Sequence, residues 1–228
     1  MSSTRIDIWS DIHCPWALIA VHRLRQARQK HRLDVVFAPR PWPLEWVNGR
    51  GTPRGIVTTE TAALASHEPR LFSAYENESW PSTFLPAFEL VSAAREVHDL
   101  RAAEDVDYAL RLAFFRDSVD VSIEAGLREA LSTAATFNGS LDPAQIMDTW
   151  LRSNPRSDVA DDYEISKTLD IQGSPQIFWP DGTTTHNPGM TDHSWHGGLL
   201  RIGRTDEGAA ERLLLEQMSK AAGHHNSP

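Results

Sequence analysis

The chain has 228 residues, 22 Lys plus Arg against 31 Asp plus Glu, a net charge of −9, 40% hydrophobic residues and one cysteine. That length can enclose one or two well-buried domains. The acidic balance argues against nucleic acid or an anionic membrane as main partner, because phosphate contacts need clustered Lys and Arg, and a lone thiol excludes a framework of intrachain disulfides.

Residues 1–11 carry no apolar signal core, and no stretch approaches the roughly 20 apolar residues of a membrane-spanning helix, so a cytoplasmic protein is expected. Residues 4–9 (TRIDIW) put Ile6 and Ile8 on one face and read as a strand. Pro15 then opens a helix whose apolar side is Ala17, Ala20, Val21, Leu24 and Ala27. That helix ends in the cationic run 28–32, favourable at the negative end of its dipole. A second strand follows at 33–38, and strand, helix and strand in so short a span imply two parallel neighbours in one sheet: the class is α/β.

Residues 39–55 are punctuated by Pro and Gly and read as a long loop with Trp42 and Trp46 as anchors. From 57 to 155 strand signals vanish and helical stripes recur, with helices expected at 59–67, 83–98, 104–116, 123–136 and 143–151. Asp142 caps the last of these and Pro143 takes its first position. A helix at 159–169 leads to a strand at 176–179, a turn at Pro180-Asp181-Gly182 and an antiparallel partner at 183–186. An amphipathic helix at 206–220 closes the chain, and the small, polar residues 223–228 are expected to fray. Three parts result: residues 1–56, a helical insert at 57–155, and residues 156–228.

The segment Asp11-Ile12-His13-Cys14-Pro15-Trp16-Ala17 places the only thiol at the junction of first strand and first helix. Sulfur beside the free N–H groups of a helix start feels about half a positive charge, which favours thiolate. Such cysteines have pKa values of roughly 3.5–7.5. His13 would tune the sulfur, and Pro15 and Trp16 would shape the helix start and cover it. The alternative is that Cys14 is a small buried hydrophobe.

With Cys14-Pro15-Trp16 after strand one, and Gly173-Ser174-Pro175 entering a later strand, the chain resembles the DsbA-like thioredoxin-fold proteins. The resemblance implies a thioredoxin-like fold interrupted by an inserted all-helical subdomain, a catalytic Cys14, and a cis Pro175 facing it. It also implies that Ser174 offers its N–H and C=O to an extended substrate; a trans proline starting an edge strand is the alternative. Where that family has its resolving cysteine this chain has Ala17, so an external thiol such as glutathione or mycothiol would release a mixed disulfide. The expected function is monothiol thiol–disulfide oxidoreductase or isomerase, with a thiol- or disulfide-containing substrate and no covalently bound cofactor.

Two other readings stay open. The kappa-class glutathione transferases and 2-hydroxychromene-2-carboxylate isomerases are similar in fold and use serine at the helix start with a thiol cofactor, which implies a small aromatic substrate. A non-catalytic binding module would keep the fold alone. Trp9, Trp16, Trp42, Trp46 and Trp179 are candidates for an aromatic pocket near Cys14. The histidines between 186 and 196 have no spacing that singles out metal ligands, so no metal is expected. No phosphate-binding glycine motif or nucleophile elbow is present. A homodimer is allowed.

Overall fold

The computed structural model describes residues 3–51 and 53–224. Strand β1 (Thr4–Ser10) leads to helix α1 (Pro15–His31) and then to β2 (Val35–Pro41), which pairs with β1 in parallel, Ile6 opposite Phe37 and Ile8 opposite Pro39. The crossover expected from the alternating pattern is therefore present. β2 runs three residues past the expected end at 38, through two prolines. It can do so because the order β2-β1-β3-β4 makes it an edge. The Phe37 amide points outward to the Glu104 carboxylate at 3.0 Å, so positions 39 and 41, on the same parity, also face away from β1, where proline sacrifices no ladder bond.

The expected loop at 39–55 is correspondingly shorter and holds a single turn, α2 (Leu44–Val47). The helices that follow are α3 (Arg54–Leu64), α4 (Leu85–Val97), α5 (Leu100–Phe115), α6 (Glu124–Phe137), α7 (Pro143–Arg152) and α8 (Pro155–Ser166). Asp142 caps α7 through the amides of Ala144 and Gln145, both at 3.0 Å, and Asp99 caps α5 through Ala102. α3 starts five residues before the expected 59, and α5 and α8 start four before 104 and 159; Asp99 caps the start of α5, and α3 and α8 share another cause. In each case proline stands at or just before the first turn and sets the start.

β3 (Gln176–Phe178) pairs antiparallel with β1 and with β4 (Thr184–His186). A second hairpin, β5 (His193–His196) and β6 (Leu199–Ile202), was not expected, because its strands are almost wholly exposed and show no apolar alternation. Its turn is Gly197-Gly198, with φ of 58° and 76°, the left-handed conformation that a two-residue hairpin loop requires. The chain closes with α9 (Ala209–His224), which extends past the expected end at 220 and takes in residues 223 and 224 of the tail; residues 225–228 lie outside the described residues.

Two cores divide the interior. Ile6, Ile8, Val35, Phe37 and Ile177 of the sheet pack with Val21 and Leu24 of α1 and Ala210 and Leu214 of α9. The other core joins the helices α3–α7 to Ile12, Cys14, Trp16 and Leu18. The first turn of α1 thus leaves the sheet core and enters the helical one, and this seam holds the thiol. No helix among the described residues is long and apolar enough to cross a membrane.

Candidate active site

β1 delivers Ser10 and Asp11 to the seam, and a turn closed by Cys14 N–H to Asp11 O at 3.3 Å sets Cys14 as the residue preceding α1. Its backbone is extended (φ −88°, ψ 114°), its carbonyl accepts the first helical bond from Leu18, and Pro15 holds the first helical position. The cysteine is therefore where the motif places it. The Ser174–Pro175 peptide is cis, and the Cys14 thiol donates to the Ser174 carbonyl at 3.2 Å. Ser174 makes a second bond to the same turn, its Oγ accepting the Asp11 amide at 2.9 Å.

The electrostatics run against the activated thiolate expected from the helix start. Cys14 is 5% exposed, and its thiol is pushed up to about 12. Burial is the main cause, followed by the negative charge of Glu60; the hydrogen bond with Ser174 and the Ala17 amide pull the other way, and Asp11 adds a smaller upward push. The helix-start effect exists but is outweighed, because the helical block shuts out the water a thiolate needs. Ser174 is likewise not an open edge: it is buried and its carbonyl is taken by the thiol.

Around the sulfur, Trp16 is buried, its indole N–H donates to the Glu60 carboxylate, and its ring meets His193 at 4.6 Å between centroids. Glu60 comes from α3, and burial raises its carboxyl above the usual range. His13 is buried with Nδ1 at 2.5 Å from the Asp11 carboxylate and its ring stacked on Phe84 at 4.3 Å. The other Asp11 oxygen accepts the Leu44 amide at 2.5 Å, which ties α2 to the site. Ala17 is fully buried on α1.

Behind this turn lies Arg111 of α5, 1% exposed, which donates to the Asp11 carbonyl at 2.7 Å, to Ser10 Oγ at 2.8 Å and in fork geometry to Asp107. On the other side, His186 Nδ1 is bonded to the Pro175 carbonyl at 2.9 Å, and burial lowers its basicity. A Cβ on Gly173 would lie 2.8 Å from the His186 ring, so the glycine lets that imidazole close on the loop.

The structure thus brings together Cys14, Pro15, Trp16, Ala17, Ser174 and Pro175, with His13 turned to Asp11. The five tryptophans do not form one pocket: Trp179 belongs to the sheet core, Trp9 lies beneath the Arg40 guanidinium, and Trp46 meets Tyr163. Sequence reasoning missed Glu60, Arg111 and Asp107, and weighed His193 only within a histidine-rich segment without metal-ligand spacing. Asp107 and Arg111 carried a signal, an i,i+4 charge pair in the same register as the apolar positions of α5, whereas nothing local marks Glu60. Among the described residues no cluster of three or more His, Cys, Asp or Glu is arranged to hold a metal.

A family profile described as DSBA-like thioredoxin domain matches residues 5–196. A sequence search of the curated proteins finds no match. Among solved structures, one described as a probable DsbA oxidoreductase from Streptomyces coelicolor superposes with a TM-score of 0.66 at 17% identity, covering 98% of this chain and 92% of that one. The cytosolic disulfide reductase DsbM from Pseudomonas aeruginosa, also solved with GSH, gives 0.55 at 15% identity over 95% and 99%. A 2-hydroxychromene-2-carboxylate isomerase gives 0.53 at 12% identity over 97% and 95%.

Proposed function

The chain belongs to the DSBA-like thioredoxin domain family, whose relatives are enzymes acting on thiols or catalysing isomerisation, and from that premise we propose that it is a monothiol thiol–disulfide oxidoreductase or isomerase acting through Cys14. The observation that carries the reading is the 3.2 Å contact between the Cys14 thiol and the Ser174 carbonyl beside a cis proline. An extended substrate pairing with the Ser174 backbone would take that carbonyl and release the thiol beside the substrate's own sulfur.

In the closed arrangement the thiol keeps its proton. Exchange requires the Trp16 cover to lift, which removes burial, the largest cause of the raised pKa. Cys14 thiolate then attacks a substrate disulfide RSSR′, forming Cys14–S–SR and expelling R′S⁻, which takes up the proton released by the thiol. Since Ala17 offers no second sulfur, an external thiol such as glutathione or mycothiol attacks the mixed disulfide, forms a new disulfide with R and returns Cys14 as thiolate. Pro15 and Trp16 shape the helix start and His13 anchors the turn. The reading includes a cytoplasmic, reducing setting, supported by the single cysteine and by the cytosolic DsbM likeness.

One observation favours a second reading, a thiol-cofactor-dependent isomerase or transferase acting on a small aromatic substrate. A thiol that stays protonated is a hydrogen-bond donor, as the serine hydroxyl of the isomerase and kappa-class relatives would be, and would stabilise the thiolate of bound glutathione. Incubating the reduced protein with glutathione disulfide between pH 7 and 9 separates the two by mass spectrometry. One glutathione per chain on Cys14 supports exchange. An unmodified Cys14, with Cys14→Ser binding glutathione as well as wild type, overturns it in favour of the second reading.

A further inference from the structure

Helix α3 turns one face to the active-site turn. Val57 and Leu64, 3% and 0% exposed, belong to the same core as Cys14 and Trp16, and Glu60 stands between them at helical spacing on that face. An acidic residue there replaces apolar packing with a half-buried carboxylate, whose direct partner is the Trp16 indole N–H, with His13 a weaker influence. Among the described residues no Lys or Arg lies within ion-pair distance of Glu60, whereas Glu68, Glu89 and Glu104 each hold an arginine. The fold thus keeps a desolvated charge beside its thiol with no ion pair to offset it.

The charges that act on the sulfur have one sign. Glu60 is the stronger and Asp11 the weaker, and both are negative. Asp11 is answered by the His13 ring and by the amides of His13 and Leu44. The buried cation behind the turn, Arg111, is forked to Asp107. His186 is held toward its neutral form by burial, and His193 lies against the Trp16 ring. Glu60 therefore remains as the charge a substrate has to meet beside the indole that covers the thiol. A neutral disulfide leaves its field in place, an anionic one adds to it, and a cationic one cancels it, which removes an upward push on the thiol as the sulfurs come together.

We propose that Glu60 selects the substrate, favouring disulfides that carry a positive charge a few bonds from sulfur, such as an ammonium or guanidinium group flanking a cysteine. The inference rests on exchange through Cys14 and adds the substrate class. In the favoured reaction Cys14 thiolate attacks one sulfur of RSSR, the Cys14–S–SR bond forms as the old S–S bond breaks, and the expelled RS⁻ takes up the proton that the thiol released. The positive group of the half that stays bound lies at the Glu60 carboxylate.

The test treats the reduced full chain at pH 8 with three disulfides of similar length: cystamine, which is cationic, hydroxyethyl disulfide, which is neutral, and dithiodipropionate, which is anionic. Formation of the mixed disulfide on Cys14 is timed by mass spectrometry. Each rate is divided by that of a neutral free thiol, N-acetylcysteine amide, with the same reagent, which removes differences between leaving groups. Normalised rates in wild type are expected to fall in the order given, by about fivefold or more at each step. In Glu60→Gln the neutral reagent should react faster and the three normalised rates should draw within about twofold of one another. Glu60→Asp, which keeps the charge, should keep the order. Equal normalised rates in wild type, or an unchanged order in Glu60→Gln, would overturn selection by Glu60 and leave exchange through Cys14 standing. No mixed disulfide with any of the three would overturn exchange itself and this proposal with it.

Discussion

Cys14 and Ser174, 160 positions apart in the chain, share one hydrogen bond, from the thiol to the carbonyl oxygen at 3.2 Å. The bond points the sulfur at the loop that would receive substrate, while burial keeps it protonated. Its reactivity should follow. Alkylation of the folded protein by iodoacetamide is expected to be slow at pH 7 and still rising above pH 10, since the thiol is pushed up to about 12. The unfolded chain should titrate near an ordinary thiol value, about 8.5. A plateau below pH 8 in the folded protein would contradict the burial argument.

The same shift links to stability. Folded Cys14 holds its proton up to about 12, above the ordinary thiol range, so the unfolded chain gives up its proton first as pH rises. Stability is full below pH 9 and falls between 9 and 12, by at most about 1.4 kcal/mol per pH unit from this group. Urea melts of wild type and Cys14→Ser over that window should diverge in this direction, with the serine variant losing less.

Glu60 pushes the thiol up by its charge, so Glu60→Gln should move the alkylation profile to lower pH and raise the rate at pH 8 several-fold. A profile that stays in place would mean that desolvation alone governs the sulfur.

Ser174→Ala leaves the buried Asp11 amide without its acceptor and should cost about 1–3 kcal/mol, read as a lower urea midpoint at unchanged slope. The result checks whether Ser174 Oγ holds the turn that presents Cys14.

Arg111→Met should be the most damaging of these changes, about 3–5 kcal/mol, because it strands the Asp107 carboxylate in the core. The double variant Asp107→Leu/Arg111→Met should recover part of that loss. Equal destabilisation in single and double variants would show that the bonds to Ser10 and the Asp11 carbonyl, and not the ion pair, carry the effect.

The first strand, first helix and second strand were legible because local signals agree there: alternation, then Pro15 at a helix start, then a β-branched run. Asp142 and Pro143 marked α7 for the same reason. The protonation of Cys14 was not legible, because the dipole that favours thiolate is local, whereas the desolvation and the Glu60 charge that outweigh it arrive from α3, more than forty residues along. The β5–β6 hairpin escaped detection because His193–His196 is polar at every position but Trp195, and both strands owe their register to the two-glycine turn. Glu60 sits in a run of threonine and alanine that looks like an ordinary helix, and only the packing of α3 against α1 turns it toward the thiol.

The outer border of β2 has a consequence for self-association. Val35 offers its carbonyl to Arg101 at 2.6 Å, Phe37 gives its amide to Glu104, and Pro39 and Pro41 have no amide hydrogen. From Phe37 to Pro41 every outward amide of that margin is thus either occupied from within or missing, and a neighbouring copy finds carbonyls but no free donor there on which to extend the sheet into a fibre. Crowded solutions of the folded chain should resist strand-by-strand aggregation along this border.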